Sequence, residues 1–117
     1  MGQVTTHVLD TAQGIPAEGV RVHLWRIADG NAVSVTSGRT NRDGRLPAPL
    51  LEGAAFTQGT YELEFAIGAY FAAQPVTTSD PPFLNAVSIR FTIADEDAHY
   101  HVPLLVSPWA YSTYRGS

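Results

Sequence analysis

Apolar and polar residues alternate with a period of two along most of this chain, the spacing of a strand with one buried face. Over residues 3–10, Thr5, His7 and Leu9 fall on one side and Thr6 and Val8 on the other. Over 20–27, Val20, Val22 and Leu24 oppose Arg21, His23 and Trp25. Tyr61, Leu63, Phe65 and Ile67 form an apolar face against Glu62 and Glu64. Val87, Ile89, Phe91 and Ile93 form one against Ser88, Arg90 and Thr92. Tyr100, Val102, Leu104 and Val106 oppose His99, His101 and Leu105. Segments 32–36 and 110–115 read as two further strands.

Between these runs lie Gly, Pro, Asn and Asp at 13–16, 28–31, 42–44, 58–59 and 80–82, which is turn chemistry. Only 68–74 suits a helix, and a short one. The pattern predicts an all-β chain, an antiparallel β-sandwich of seven to eight strands with one short helix. A chain of 117 residues without a linker or repeat is expected to form a single domain over 1–117.

Composition narrows the function. At 44% hydrophobic and 15% charged, the chain is neither disordered nor membrane-spanning in character. No apolar run reaches the length of about eighteen residues that a membrane helix needs, so no membrane partner is expected. Met1-Gly2-Gln3-Val4 lacks the basic and apolar regions of a secretory signal, and the expected location is the cytoplasm. There is no cysteine, which removes thiol nucleophiles, thiolate metal sites and disulfides together. All seven formal cations are Arg, so no side-chain amine is available for a Schiff base. A net charge of −4 without a basic block makes nucleic acid an unsuitable partner.

The chemistry left rests on imidazole and guanidinium. The chain holds four His, at 7, 23, 99 and 101. Imidazole titrates nearest to neutral pH and suits general acid–base work. Arg offers a fixed fork of donors for an anionic or developing oxyanion centre. Imidazoles beside guanidinium groups stay neutral and able to take a proton from water. His23 shares a face with Trp25 and reads as structural. His99-x-His101 could begin a zinc site, yet no third ligand follows at a telling distance, so no metal is expected. Ser107 and Ser112 lack the elbow of a serine nucleophile, and Asp95-Glu96-Asp97 reads as a solvated turn.

The tail, His101-Val-Pro-Leu-Leu-Val-Ser-Pro-Trp-Ala-Tyr-Ser-Thr-Tyr-Arg-Gly-Ser117, starts as an apolar strand and closes in a cluster of hydrogen-bonding groups. It resembles the C-terminus of the 5-hydroxyisourate hydrolase (transthyretin-related) family, whose Tyr-Arg-Gly-Ser ending separates the enzymes from transthyretin itself. Thr6-His7-Val8-Leu9-Asp10-Thr11 with Gly14-Ile15-Pro16-Ala17 is similar to the family's opening, and Thr40-Asn41-Arg42-Asp43-Gly44-Arg45 to its central loop. The resemblance implies a transthyretin-like sandwich of two four-stranded sheets. It implies hydrolysis of 5-hydroxyisourate to 2-oxo-4-hydroxy-4-carboxy-5-ureidoimidazoline in urate catabolism, without a cofactor. It also implies a homotetramer with sites at subunit interfaces.

The resemblance further makes His7, Arg45 and His101 catalytic and makes His7, Arg45, Tyr114, Arg115 and Ser117 substrate-binding. Which histidine is the base stays open. A transthyretin-like carrier of a small aromatic ligand is the alternative. A carrier of apolar rings would favour apolar lining over His7, Arg45 and the polar tail. A plain accessory β-sandwich is a third reading.

Overall fold

In the computed structural model, which describes residues 2–116, the chain forms two packed sheets. The strands are β1 (Gln3–Asp10), β2 (Ile15–Pro16), β3 (Arg21–Ala28), β4 (Asn31–Arg39), β5 (Leu51–Glu52), β6 (Gly59–Ala66), β7 (Ala86–Ile93), β8 (His99–Val106) and β9 (Tyr111–Thr113). One sheet runs β2-β1-β8-β9, with β5 also paired to β1; the other runs β4-β3-β6-β7. The expected sandwich is what forms. Its two extra strands, β2 and β5, are two-residue ladders on β1 that carry no readable alternation.

The pairing is antiparallel except in one place. β1 and β8 run parallel over their whole length, from Gln3 opposite His99 to Asp10 opposite Val106. They are nearly the first and last segments of the chain, and no local turn signal records that they meet.

The core is the facing sides of the two sheets. Val4, Val8, Val102, Leu104 and Val106 from one meet Val22, Leu24, Leu63, Phe65 and Val87 from the other, all buried. Each such side chain contributes roughly 1.5–3 kcal/mol by leaving water. The opposite face of β1 and β8 is only half-buried, and that face carries the histidines.

The single helix, α1 (Ile67–Ala72), ends before the expected 68–74. Pro75 disfavours helical backbone at Gln74, which closes the turn early. Ile67, Tyr70 and Phe71 anchor the helix in the core, and Tyr70 donates its hydroxyl proton to buried Asp10 at 2.8 Å. Burial, then this carboxylate, raises the Tyr70 pKa. No described helix is long and apolar enough to cross a membrane.

Candidate active site

Thr5, His7 and Leu9 of β1 point away from the core, as do His99 and His101 of β8. The parallel register puts Thr5 directly opposite His101 and Gln3 opposite His99. Thr5 therefore sits beside one imidazole and diagonal to the other. Its Oγ1 lies 2.8 Å from His101 Nδ1 and 2.8 Å from His99 Nε2.

A loop supplies the facing wall. Asn41 Oδ1 accepts hydrogen bonds from the backbone N–H groups of Asp43 (2.9 Å) and Arg45 (3.2 Å), and Asn41 N–H donates to the Arg45 carbonyl at 2.7 Å. This fold of the loop presses Gly44 against β1. The Gly44 carbonyl accepts from Val8 N–H at 2.8 Å. A Cβ at Gly44 would stand 2.4 Å from the Val8 oxygen, and φ there is +75°, so glycine is required twice over. Leu50 N–H then returns to the Val4 carbonyl at 2.8 Å.

Between those two anchors the chain stands off β1. The space left is a cleft of about 420 Å³, with Arg45 and 46–50 on one side and Thr5, His99 and His101 on the other. Thr6 also lines it; its hydroxyl is buried and donates to the Val102 carbonyl at 2.7 Å, which leaves its main chain facing the cleft. His7 lies beside the loop, 3.3 Å from the position of a Gly44 Cβ.

The electrostatics follow from this crowding. Burial lowers the pKa of His7 below its ordinary 6.5, Arg45 lowers it further, and Asp43 opposes the change. His101 is lowered first by burial, then by Arg45, then by His99 and His7. Both rings are neutral at pH 7, with a lone pair free to accept a proton. The exposed Arg45 guanidinium is then the cation beside them.

Of the expected site residues, one chain brings together His7, Arg45 and His101. It does not bring Tyr114 and Arg115 into the same cleft. Arg115 Cζ lies 4.2 Å over the Tyr100 ring, in a groove shared with Ile89 and Phe91, and Tyr114 is 60% exposed. The tail does touch His101 through Gly116, whose N–H donates to the His101 carbonyl at 2.8 Å. A Cβ at Gly116 would come within 2.7 Å of His101 Cδ2, so the tail packs directly on the imidazole. Ser117 lies outside the described residues.

His23, expected to be structural, is stacked on Trp25 at 4.0 Å and hydrogen-bonded to Ser34, and it does not line the cleft. Thr5 was not singled out from the sequence. Period-two spacing puts it on the face of His7, but its two partners appear only with the β1–β8 register. Among the described residues no three His, Asp or Glu side chains are gathered as a metal site would need.

Residues 4–116 match the HIUase/Transthyretin family. The chain belongs to that family. It is 56% identical over 117 residues to a 5-hydroxyisourate hydrolase of Ralstonia nicotianae, covering 100% of both chains. Among solved structures, a 5-hydroxyisourate hydrolase of Klebsiella pneumoniae superposes with a TM-score of 0.82 at 36% identity, over 100% of each chain. An (S)-allantoin synthase superposes with a TM-score of 0.93 at 51% identity, over 99% of this chain but 44% of the other. This chain therefore spans less than half of the synthase. Family membership accounts for the sequence matches at both ends and the middle, since those three segments build the cleft wall, the loop and the tail that packs on His101.

Proposed function

We propose that this protein hydrolyses 5-hydroxyisourate, opening the six-membered ring at a cyclic amide. The observation that carries the reading is a cleft that holds His101 and the Arg45 guanidinium, with His7 close enough to feel Arg45, in a chain of this family. His7 and His101 activate a water molecule and shuttle its proton as it adds to the ring carbonyl. Arg45 holds the polar edge of the substrate and steadies the developing oxyanion. A placed base contributes roughly a hundred- to ten-thousandfold. The product of the reaction is 2-oxo-4-hydroxy-4-carboxy-5-ureidoimidazoline, which places the step in urate breakdown. The relatives named for this activity support the substrate, and the Arg45, His99 and His101 side chains in the cleft disfavour a carrier of apolar rings.

We assign Tyr114, Arg115 and Ser117 to the substrate site of a neighbouring subunit, in a homotetramer of the cytoplasm. Two points support this. The family resemblance implies shared sites, and Tyr114 stands in solvent on a single chain.

The test is direct. 5-Hydroxyisourate is generated from urate with urate oxidase, and its absorbance decay is followed with and without the protein. Acceleration is expected, with urate and allantoin untouched. Decay equal to the protein-free rate, with folded protein, would favour the carrier. A chelator should leave the rate unchanged; loss on chelation with recovery on zinc would show His99 and His101 to be ligands.

A further inference from the structure

We propose that Thr5 and His99 form a proton relay beside His101, which switches it between base and acid and moves the positive charge from half-buried His101 to exposed His99. The proposal rests on the hydrolytic reading above. Neither Thr5 nor His99 is assigned a role in that mechanism; both act through His101 and are positioning residues.

The Thr5 hydroxyl has one proton, yet it lies 2.8 Å from a ring nitrogen on each side. It can donate to only one imidazole at a time and accepts from the other when that ring presents an N–H. The relay uses the two arrangements of this kind. In the first, His101 Nδ1–H donates to Thr5, Thr5 donates to His99 Nε2, and His101 Nε2 is a bare lone pair. In the second, His99 Nε2–H donates to Thr5, Thr5 donates to His101 Nδ1, and His101 carries its proton on Nε2. The first is a general base and the second a general acid.

Amide hydrolysis needs both forms in turn. When water adds to the carbonyl, its oxygen forms the new C–O bond and its proton goes to His101 Nε2. The proton on His101 Nδ1 passes to Thr5 Oγ1, and the proton Thr5 held passes to His99 Nε2. Thr5 ends neutral, His101 ends neutral with a proton on Nε2, and His99 carries the charge. When the ring C–N bond breaks, the leaving nitrogen takes the Nε2 proton. The His99 proton returns through Thr5 to His101 Nδ1, which restores the starting state.

The setting explains why the charge should be moved. His101 is half-buried and shares its surroundings with Arg45 and His7, so an imidazolium there is opposed on several sides. On the single chain His99 is exposed at the start of β8, a better setting for a cation than the half-buried place of His101. The bridge also depends on register. The parallel β1–β8 register, with Thr5 opposite His101, places one hydroxyl between two imidazoles two residues apart.

The experiment uses the full chain. Wild type, Thr5→Val, Thr5→Ser and His99→Gln are compared after a melting curve shows each to be folded. Thr5→Val and His99→Gln should lower kcat by on the order of tenfold, a part of the roughly hundred- to ten-thousandfold a placed base contributes because His101 itself remains, with KM little changed. Thr5→Ser keeps the hydroxyl and should recover most of the loss. In mixtures of light and heavy water, single-turnover rates of wild type should depend on deuterium content along a bowed curve, since several protons move together. The plot for His99→Gln should straighten. Wild-type kcat in Thr5→Val, or equal curvature in wild type and His99→Gln, would overturn the relay.

Nitrogen-15 shifts of His101 give an arm independent of turnover. One dominant tautomer is expected in wild type and a changed mixture in Thr5→Val; identical spectra would overturn the bridge. If wild type fails to accelerate 5-hydroxyisourate decay, the hydrolytic reading falls, and these spectra alone decide whether Thr5 controls His101.

Discussion

His7 and His101 differ from ordinary surface histidines in what surrounds them. Burial and Arg45 hold both below 6.5, so each binds its proton only at lower pH. A reaction that needs them neutral should have kcat/KM flat through pH 7 and falling only on the acid side of 6.5. Arg45→Gln removes one cause of the lowering from both rings. The acid limb should then move to higher pH, while activity drops from loss of the oxyanion contact. A limb that stays where it is would show that Arg45 does not act on the rings. At this scale the sequence was legible where chemistry was scarce: without Cys or Lys, His and Arg were the remaining candidates. Gly116 was legible only as part of the tail. Its closeness to His101 predicts that Gly116→Val displaces the ring, because even a Cβ would lie 2.7 Å from Cδ2. Misplacement by about 1 Å can cost on the order of a hundredfold. The melting temperature should hardly change, since the residue is terminal. Full turnover in Gly116→Val would show that the tail does not position His101.

Strands were readable because one face of each meets the core, and the alternation of 3–10 or 99–106 states which. Pairing was not readable, because the parallel β1–β8 contact joins segments over ninety positions apart through no local turn. The loop of 41–50 was readable as a turn through Asn41, Asp43 and Gly44, but not as a wall. Its role comes from Gly44 docking on Val8 and Leu50 on Val4. That docking predicts a specific sensitivity. Gly44→Ala puts a Cβ 2.4 Å from a backbone oxygen at a positive φ, and should cost about 1–3 kcal/mol. The melting temperature should fall by several degrees and the activity should fall with it, since Arg45 follows directly. Gly30→Ala has a similar φ of +79° but nothing within 4 Å of its Cβ. It should lose less stability and keep its activity. Equal losses in the two variants would mean that backbone strain alone, and not the contact with β1, is what Gly44 relieves.

On the scale of the whole molecule, one chain holds a divided set of groups. Arg45 and His101 line the cleft with His7 beside its loop, whereas Arg115 lies over Tyr100 and Tyr114 is exposed. In the proposed tetramer, a site that uses all five draws the last two from another copy. The proposed tetramer therefore makes a prediction about mixtures. Chains carrying His101→Ala lack the base but keep an intact tail, and chains carrying Arg115→Ala lack the tail cation but keep the cleft. Each should assemble and be poorly active alone. Unfolded and refolded together, they form mixed assemblies in which some sites receive an intact cleft from one chain and an intact tail from its neighbour. At equal proportions and random assembly, about a quarter of two-chain sites should be whole, so activity should return to roughly that fraction of wild type. Separately refolded samples mixed afterwards provide the control and should stay inactive until subunits exchange. Light scattering on the same samples should give a mass well above the 12.6 kDa of one chain. If refolded mixtures stay no more active than the average of the two variants, each site is completed within its own chain, and the tail must then turn from Tyr100 towards its own His101 when substrate binds.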